Sequence, residues 1–142
     1  MRHRYKTPNR LMGFIPIMCV FLLLPACSDD ADERSKFIGR YEVKESSLET
    51  YTQRDDYEVR IRKDAGTENM VLISNFYNLD VEVDASIAGN KINVIRQTHG
   101  VYLYEGIGTL SGSVIIMEYT VSLAQDDGEL VDRLRAEMTL ID

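Results

Sequence analysis

The feature that most constrains the fold of this chain is an alternation of apolar and polar residues with a period of two, which recurs from residue 37 onward. In one such row, Leu79, Val81 and Val83 alternate with Asp80 and Glu82. A β-strand needs this pattern when one of its faces is buried and the other contacts water. No segment of the region has a convincing helical period. The pattern therefore predicts an all-β domain.

Turn sequences separate the alternating rows at regular intervals. Gly89-Asn90 and Ser111-Gly112 lie between strand patterns at the spacing of a two-residue hairpin loop. Eight strands are predicted, at about 37–46, 54–63, 69–76, 79–88, 91–97, 101–110, 113–123 and 131–141. Short connections imply antiparallel neighbours, and eight successive strands can close and so remove both exposed edges. We expect an eight-stranded antiparallel up-and-down barrel, with a two-sheet β-sandwich as the alternative.

The first 26 residues predict a secretory signal peptide rather than part of the fold. Four basic residues and no acidic one precede an apolar run from Leu11 to Leu24, and the small residue Ala26 follows. A membrane span needs about 20 apolar residues, more than this run offers. Leu24-Pro25-Ala26-Cys27 resembles the lipobox of bacterial lipoproteins. The resemblance implies cleavage before Cys27 and three acyl chains on it, and an uncleaved anchor is the alternative.

Residues 27–36 are predicted to be the lipidated cysteine and an acidic tether. Residues 28–36 include no apolar side chain larger than that of Ala31, so they cannot bury enough surface to become ordered. The run Ser28 to Glu33 resembles the acidic export signal of Bacteroidetes surface lipoproteins. That resemblance implies a location on the outer membrane, exposed at the cell surface. An ordinary solvated linker is the alternative.

Charge and cysteine content restrict the partners of the exported domain. Four of the 16 Lys and Arg residues precede Cys27, whereas all 23 Asp and Glu residues follow it, so the domain is strongly acidic. An acidic domain repels phosphates, and no nucleic-acid partner is expected. No cysteine follows Cys27, so we expect neither a disulfide nor a thiolate metal site. No cofactor is predicted.

A family resemblance covers most of residues 37–142. Phe37-Ile38-Gly39-Arg40-Tyr41 looks like the start of the lipocalin-like domain of small Bacteroidetes lipoproteins, and residues 71–76 and 115–119 look similar to strands of that family. The resemblance implies a lipocalin-like, calycin-type barrel. Lipocalins begin with Gly-x-Trp, whereas Tyr41 stands in the place of the Trp here and the chain contains none. A shorter barrel of this kind can fill its interior with side chains.

Aromatic residues on the predicted strands form the candidate ligand site. Tyr102 and Tyr104 share a strand face with Gly106 and Gly108. Glycine beside large rings makes room either for a ligand or for tight barrel curvature. If the barrel is open at one end, its mouth is expected to be lined by Tyr102, Tyr104, Glu105, Arg96 and Tyr119. The alternative is that the rings pack in the core and the glycines permit bends.

No catalytic or metal-binding residue is predicted. His99 is the only histidine after Cys27, and it lies in the turn Thr98-His99-Gly100, which we expect to be exposed to water. No nucleophile motif accompanies it. Asp126-Asp127-Gly128-Glu129 lacks the ligand spacing of a calcium loop and is expected to form a solvated turn.

These observations favour a non-enzymatic, lipid-anchored surface module that binds a protein, a glycan or a small apolar ligand. One alternative is a carrier that encloses a small apolar ligand, which requires a cavity of about 300 Å³ or more. A second is an inhibitor of an extracellular hydrolase, for which residues 99–102 are the candidate loop. An enzyme is the least favoured class.

Overall fold

A computed structural model of the protein describes residues 31–125 and 128–142. The predicted signal peptide, Cys27 and residues 28–30 lie outside the described residues, as do Asp126 and Asp127 of the predicted solvated turn. A 3₁₀ helix at Glu33–Phe37 precedes eight strands. The strands are β1 (Gly39–Ser47), β2 (Tyr57–Lys63), β3 (Met70–Phe76), β4 (Val81–Ala88), β5 (Lys91–His99), β6 (Tyr102–Ser111), β7 (Val114–Leu123) and β8 (Leu130–Leu140).

The eight strands form one closed barrel. Each strand pairs in antiparallel orientation with the next, and β8 pairs with β1 from Tyr41↔Leu140 to Ser47↔Leu134. The predicted up-and-down meander is therefore confirmed, and its architecture matches a lipocalin-like barrel. A continuous ladder of this kind leaves no gap between two sheets, which rules out the sandwich. Within the described residues, no helix is both long and apolar enough to cross a membrane.

The period-two pattern sets which side chains enter the barrel. On β4, for example, Val83, Ala85 and Ile87 are buried, whereas Asp84 is exposed. The β4–β5 turn lies at Gly89 and Asn90 as predicted, but two turns are shifted. The β6–β7 turn lies at Gly112 and Ser113, one residue later than predicted, and the β5–β6 turn lies at residues 100–101 because Thr98 and His99 belong to β5. Gly112 has a φ of 61°, which glycine adopts without steric penalty.

The two ends of the barrel differ. The helix end carries the 3₁₀ helix and the short turns after β2, β4 and β6. The opposite end, which we call the loop end, carries the connections at residues 48–56, 77–80, 100–101 and 124–129. Because the chain enters β1 from the 3₁₀ helix, the loop end is the end farther from the N-terminal segment.

The helix end is closed by Phe37 and Tyr41. Both side chains are fully buried, and the Tyr41 hydroxyl donates a hydrogen bond to the Phe37 carbonyl oxygen (3.0 Å). Tyr41, which stands where lipocalins have Trp, is thus a core residue. Large apolar side chains fill the barrel above it, among them Ile61, Ile73, Ile92, Ile115 and Met117.

The predicted tether is wrong at its C-terminal end, because residues 33–36 belong to the 3₁₀ helix. The Arg34 guanidinium donates to the carbonyl oxygens of Asp64, Thr67 and Met70 at 3.1–3.3 Å and pairs with Asp32 at 2.8 Å. Lys63 also pairs with Asp32 (2.9 Å). Hydrogen bonds from these two basic residues hold the pKa of Asp32 far below its usual value. Composition suggested a solvated linker because it does not show that these charges have partners on the barrel.

Candidate functional site

Three of the five predicted site residues lie together inside the loop end. Tyr104 and Tyr119 are buried and Tyr102 is half-buried. The rings of Phe76 and Tyr77 join them. Centroid distances between contacting rings in this set run from 4.7 to 6.4 Å, mostly with the tilted or edge-on geometry that aromatic pairs prefer. The rings are therefore packed in the core, as the alternative predicts, and Tyr104 and Tyr119 do not line an open mouth.

The prediction that Arg96 and Glu105 line the mouth is wrong. Both side chains are on the outer wall, 3.9 Å apart, and are 63% and 48% exposed. Glu105 follows Tyr104 and so points to the opposite face. For Arg96, the cause is a register shift in β5 between Val94 and Gln97, which adds a residue and reverses the alternation.

As a result of this shift, Gln97 and His99 are half-buried next to the aromatic cluster. The Gln97 side-chain amide accepts from the Asp84 N–H (2.9 Å) and donates to the Asp84 carbonyl oxygen (2.8 Å), in place of strand pairing between β4 and β5. The His99 Nε2 atom lies 3.0 Å from the Gln97 Oε1 atom, and its ring is 6.2 Å from that of Tyr104. The expectation of an exposed histidine is therefore only partly met.

The central polar residue of the loop end is Glu45, which the sequence reasoning missed. Its side chain is fully buried and its Oε2 atom accepts hydrogen bonds from the hydroxyls of Tyr57 (2.9 Å) and Tyr119 (2.5 Å). A signal was present in the sequence, because Glu45 stands in the inward row of β1 with Tyr41 and Val43. A carboxylate in such a row is expensive to bury and needs partners.

Arg54 supplies the counter-charge to Glu45. Its Nη1 atom lies 3.0 Å from the Glu45 Oε1 atom, and its guanidinium carbon lies 4.0 Å from the centre of the Tyr77 ring. The residue belongs to the 48–56 connection, and its N–H donates to the Glu45 carbonyl oxygen (2.9 Å). No sequence pattern marks a loop arginine that folds back into a barrel, so this pair could not have been predicted.

Burial raises the pKa of Tyr57 and of Tyr119 far above the usual value, and the nearby Glu45 charge adds to the effect. Both phenols therefore remain neutral hydrogen-bond donors at any physiological pH. The pKa of Arg54 is also raised: burial alone would lower it, but the charge of the Glu45 carboxylate acts in the opposite direction and the net shift is upward. The cluster is one buried ion pair held among neutral phenols.

Three buried polar side-chain atoms in the described residues have no hydrogen-bond partner: two belong to this ion pair and one to the adjoining ring cluster. They are Glu45 Oε1, Arg54 Nη1 and Tyr104 Oη. The first two are close enough for an ion pair but are not aligned for a hydrogen bond. Buried polar atoms are paired in nine cases of ten or more, so three unpaired atoms in one place require an explanation.

Backbone strain accompanies the unpaired atoms. Tyr77 has a φ of 57°, and Asn75, Asn78 and Asp80 around it have values between 53° and 59°. Asparagine and aspartate tolerate this region, whereas an aromatic residue there is an outlier. Strain of this kind persists only where the surrounding structure enforces it, and it concentrates at functional sites.

The outer wall formed by the described residues includes two shallow grooves. The larger, of about 600 Å³, crosses β5 to β8, and the smaller, of about 240 Å³, lies beside β1 and β8. Exposed Ile95 and Ile107 line the larger groove together with charged residues, including Arg96 and Glu105. The described residues include no group of three side chains suited to hold a metal ion.

Comparison with protein-family models finds none that matches this chain, and comparison with curated proteins likewise finds no match.

The unpaired Tyr104 hydroxyl leads to a prediction in which removing a polar group stabilises the protein. Tyr104→Phe should raise the free energy of unfolding by about 1 kcal/mol, because it removes a buried hydroxyl that has no partner. Tyr41→Phe is the matched control: Tyr41 is equally buried but its hydroxyl is bonded, so this change should destabilise by about 1 kcal/mol. Urea unfolding measures both. Equal losses in the two variants would show that the Tyr104 hydroxyl is structural.

Proposed function

We propose that this protein is a non-enzymatic binding module, anchored at the cell surface through lipid on Cys27, whose ligand binds at the loop end of the barrel. The observation that carries this proposal is that three buried polar atoms at that end, two of them within one ion pair, have no hydrogen-bond partner. Departures from full hydrogen bonding are expected where a protein sacrifices stability for function. The strained backbone around Tyr77 supports the same location.

The chemistry of the cluster supports binding rather than catalysis. Tyr57 and Tyr119 are kept neutral by burial, and Arg54 keeps its proton. General acid–base catalysis needs a group whose pKa lies near the operating pH. A buried carboxylate held by neutral phenols instead binds and orients a polar ligand through hydrogen bonds.

The packing of the interior favours a ligand at the loop end over an apolar ligand enclosed in the barrel. Side chains from Phe37 at one end to Tyr119 at the other are buried against one another. The candidate inhibitor loop at residues 99–102 is short, and the His99 ring packs inward rather than projecting from it. Neither the carrier nor the inhibitor gains support from these contacts.

The position of the N-terminal segment supports a surface orientation with the loop end accessible. Asp32 is bound to the helix end of the barrel and follows Cys27 by five residues. Five residues reach at most about 18 Å. A lipid on Cys27 would therefore hold the helix end near the bilayer, and the loop end would face away from it.

The anchor is tested by replacing the lipidated residue. Cys27→Ser should move the protein from the membrane fraction to the soluble fraction, since stable attachment depends on the acyl chains. Cys19→Ser is the matched control, because Cys19 lies within the predicted signal peptide and its replacement should leave the protein in the membrane fraction. A Cys27→Ser protein that still sediments with membranes would contradict the anchor.

Binding at the loop end is tested by crosslinking in intact cells. A photoreactive amino acid is placed at Leu79 on the loop end or at Ile141 on the helix end, positions whose exposed fractions are 46% and 45%. We expect adducts at position 79, seen as a change in mass, and few at position 141. Equal labelling at the two positions, or labelling at neither, would contradict the proposal.

A further inference from the structure

The unpaired atoms, the position of Arg54 and the charge of the loop end together indicate what kind of ligand the proposed site takes. We propose that the loop end binds a guanidinium group, from a small cation or from an arginine side chain of a polypeptide, in the place that Arg54 occupies in the free protein. This inference rests on the proposed function and narrows it to one chemical group.

Arg54 shows that the site is built for a guanidinium. The Glu45 carboxylate lies on one side of it at 3.0 Å, and the face of the Tyr77 ring lies 4.0 Å from its central carbon. A planar, delocalised cation uses both features at once, since it pairs with a carboxylate and stacks on an aromatic face. A lysine ammonium, which is compact and strongly hydrated, uses the ring less well.

Arg54 is nevertheless an imperfect occupant. Its Nη1 atom and the Glu45 Oε1 atom are not aligned for a hydrogen bond, whereas arginine–carboxylate pairs are frequently bidentate. Its side chain is 32% exposed and belongs to a loop rather than to a strand. A guanidinium that arrives from outside is free of the loop and can adopt the aligned geometry.

The Tyr104 hydroxyl is a further acceptor without a partner in the adjoining ring cluster. It is fully buried, unpaired and part of the ring cluster that includes Tyr77, whose centroid is 6.3 Å away. A phenol oxygen accepts hydrogen bonds, and a guanidinium carries several N–H donors in one plane. An aligned guanidinium would satisfy the Glu45 Oε1 atom, for which Arg54 supplies no aligned donor.

The charge of the loop end favours the same ligand. The described parts of the loop-end connections contain five exposed acidic residues, and the only Lys or Arg in those parts is Arg54. The acidic residues are Glu49, Asp55, Asp56, Asp80 and Glu129. A rim of one sign raises the local concentration of ligands of the opposite sign and speeds their association.

The test removes the internal occupant and supplies the group from outside. Full-length protein in non-ionic detergent, as wild type, Arg54→Ala and Arg62→Ala, is titrated with methylguanidinium and with neutral methylurea. Arg62→Ala is the matched control, because Arg62 pairs with Glu82 at 2.8 Å on the exposed outer wall. We expect Arg54→Ala to bind methylguanidinium about tenfold more tightly than the other two proteins, since the competing side chain is gone. Methylurea should not bind.

The same measurement shows whether Glu45 is the partner. The double variant Glu45→Gln, Arg54→Ala should not show the tighter binding of methylguanidinium expected for Arg54→Ala, because the carboxylate is no longer present. If Arg54→Ala alone is unfolded, methylguanidinium should restore its fold, measured by circular dichroism, and methylurea should not. Equal affinity in Arg54→Ala and wild type, binding that survives Glu45→Gln, or no restored fold would each overturn the inference.

Two further comparisons identify the source of the group and separate this inference from the proposed function. Tighter binding of a blocked Gly-Arg-Gly peptide than of methylguanidinium would assign the guanidinium group to a polypeptide. Tighter binding of methylguanidinium would assign it to a small cation. Either result supports the site. Failure of both probes, with crosslinks at Leu79 retained in cells, would overturn the guanidinium assignment alone. Absence of crosslinks at position 79 in the protein that carries no other substitution would overturn the proposed function itself.

Discussion

Replacement of Arg54 by alanine is expected to lower the free energy of unfolding by about 3 kcal/mol. The change leaves the Glu45 carboxylate buried without its counter-charge, and removal of one partner of a buried ion pair costs about 3–5 kcal/mol. The lower value applies because the Arg54 side chain is one-third exposed, so water can reach the vacated place. Urea is the denaturant of choice, since guanidinium is the group that we expect to bind there.

Two controls separate this effect from a general loss of a surface charge. Arg62→Ala breaks an exposed pair with Glu82 and should change stability by less than about 1 kcal/mol. Adding Glu45→Gln to Arg54→Ala should restore most of the loss, because no uncompensated charge remains and the amide oxygen still accepts from Tyr57 and Tyr119. A loss no larger than that of Arg62→Ala would show that Glu45 is not effectively buried.

Gly106→Ala is the second change with a large expected effect, a loss of about 3 kcal/mol in the free energy of unfolding. A Cβ atom at position 106 would overlap the Cβ of Tyr119 and lie 2.8 Å from the Glu118 carbonyl oxygen. Both obstacles belong to β7 and lie on or next to its backbone, so β6 and β7 would have to separate where they now curve together.

Gly66→Ala is the matched control, since a Cβ at position 66 meets no atom within 4 Å. It should leave the urea midpoint within experimental error of that of the wild type. If Gly106→Ala were as mild as this control, β6 and β7 would not need their close approach, and Gly106 would not be required for the curvature of the barrel.

The fold was predictable from the sequence because it depends on a repeated local pattern. Alternation on both sides of each turn identified all eight strands, and simple succession with short turns identified the closed barrel. The same rule also predicted that Tyr102 and Tyr104 share a face with Gly106, where glycine admits the close approach of Tyr119. Period-two reasoning succeeds wherever the ladder is regular.

The candidate site was only partly predictable, because it is formed where the pattern is broken. The register shift in β5 moves Arg96 outward and brings Gln97 inward, and nothing in the local composition marks it. Glu45 stands in the inward, apolar row of β1, so its burial could have been predicted from the alternation. Its partner Arg54 comes from an irregular connection, and such long-range pairs follow from the packed structure rather than from spacing.

The two ends of the barrel differ in how fully their buried polar groups are hydrogen-bonded. The helix end is closed by apolar packing and by hydrogen bonds that are satisfied, such as that from Tyr41 to Phe37. The loop end retains a buried ion pair, unpaired polar atoms and strained backbone. Apolar side chains of similar volume are often neutral or stabilising in place of a buried ion pair, so the cluster is poorly explained by stability alone.

The most direct test of the central claim is the unfolding free energy of a triple variant, Glu45→Gln, Arg54→Met and Tyr104→Phe, measured in urea alongside crosslinking at Leu79. We predict a protein at least as stable as the wild type, because the variant removes the buried charges and the unpaired hydroxyl, and we expect the crosslinks to be lost. A loss of more than about 2 kcal/mol with the crosslinks retained would contradict the claim, since the cluster would then serve to hold the barrel together.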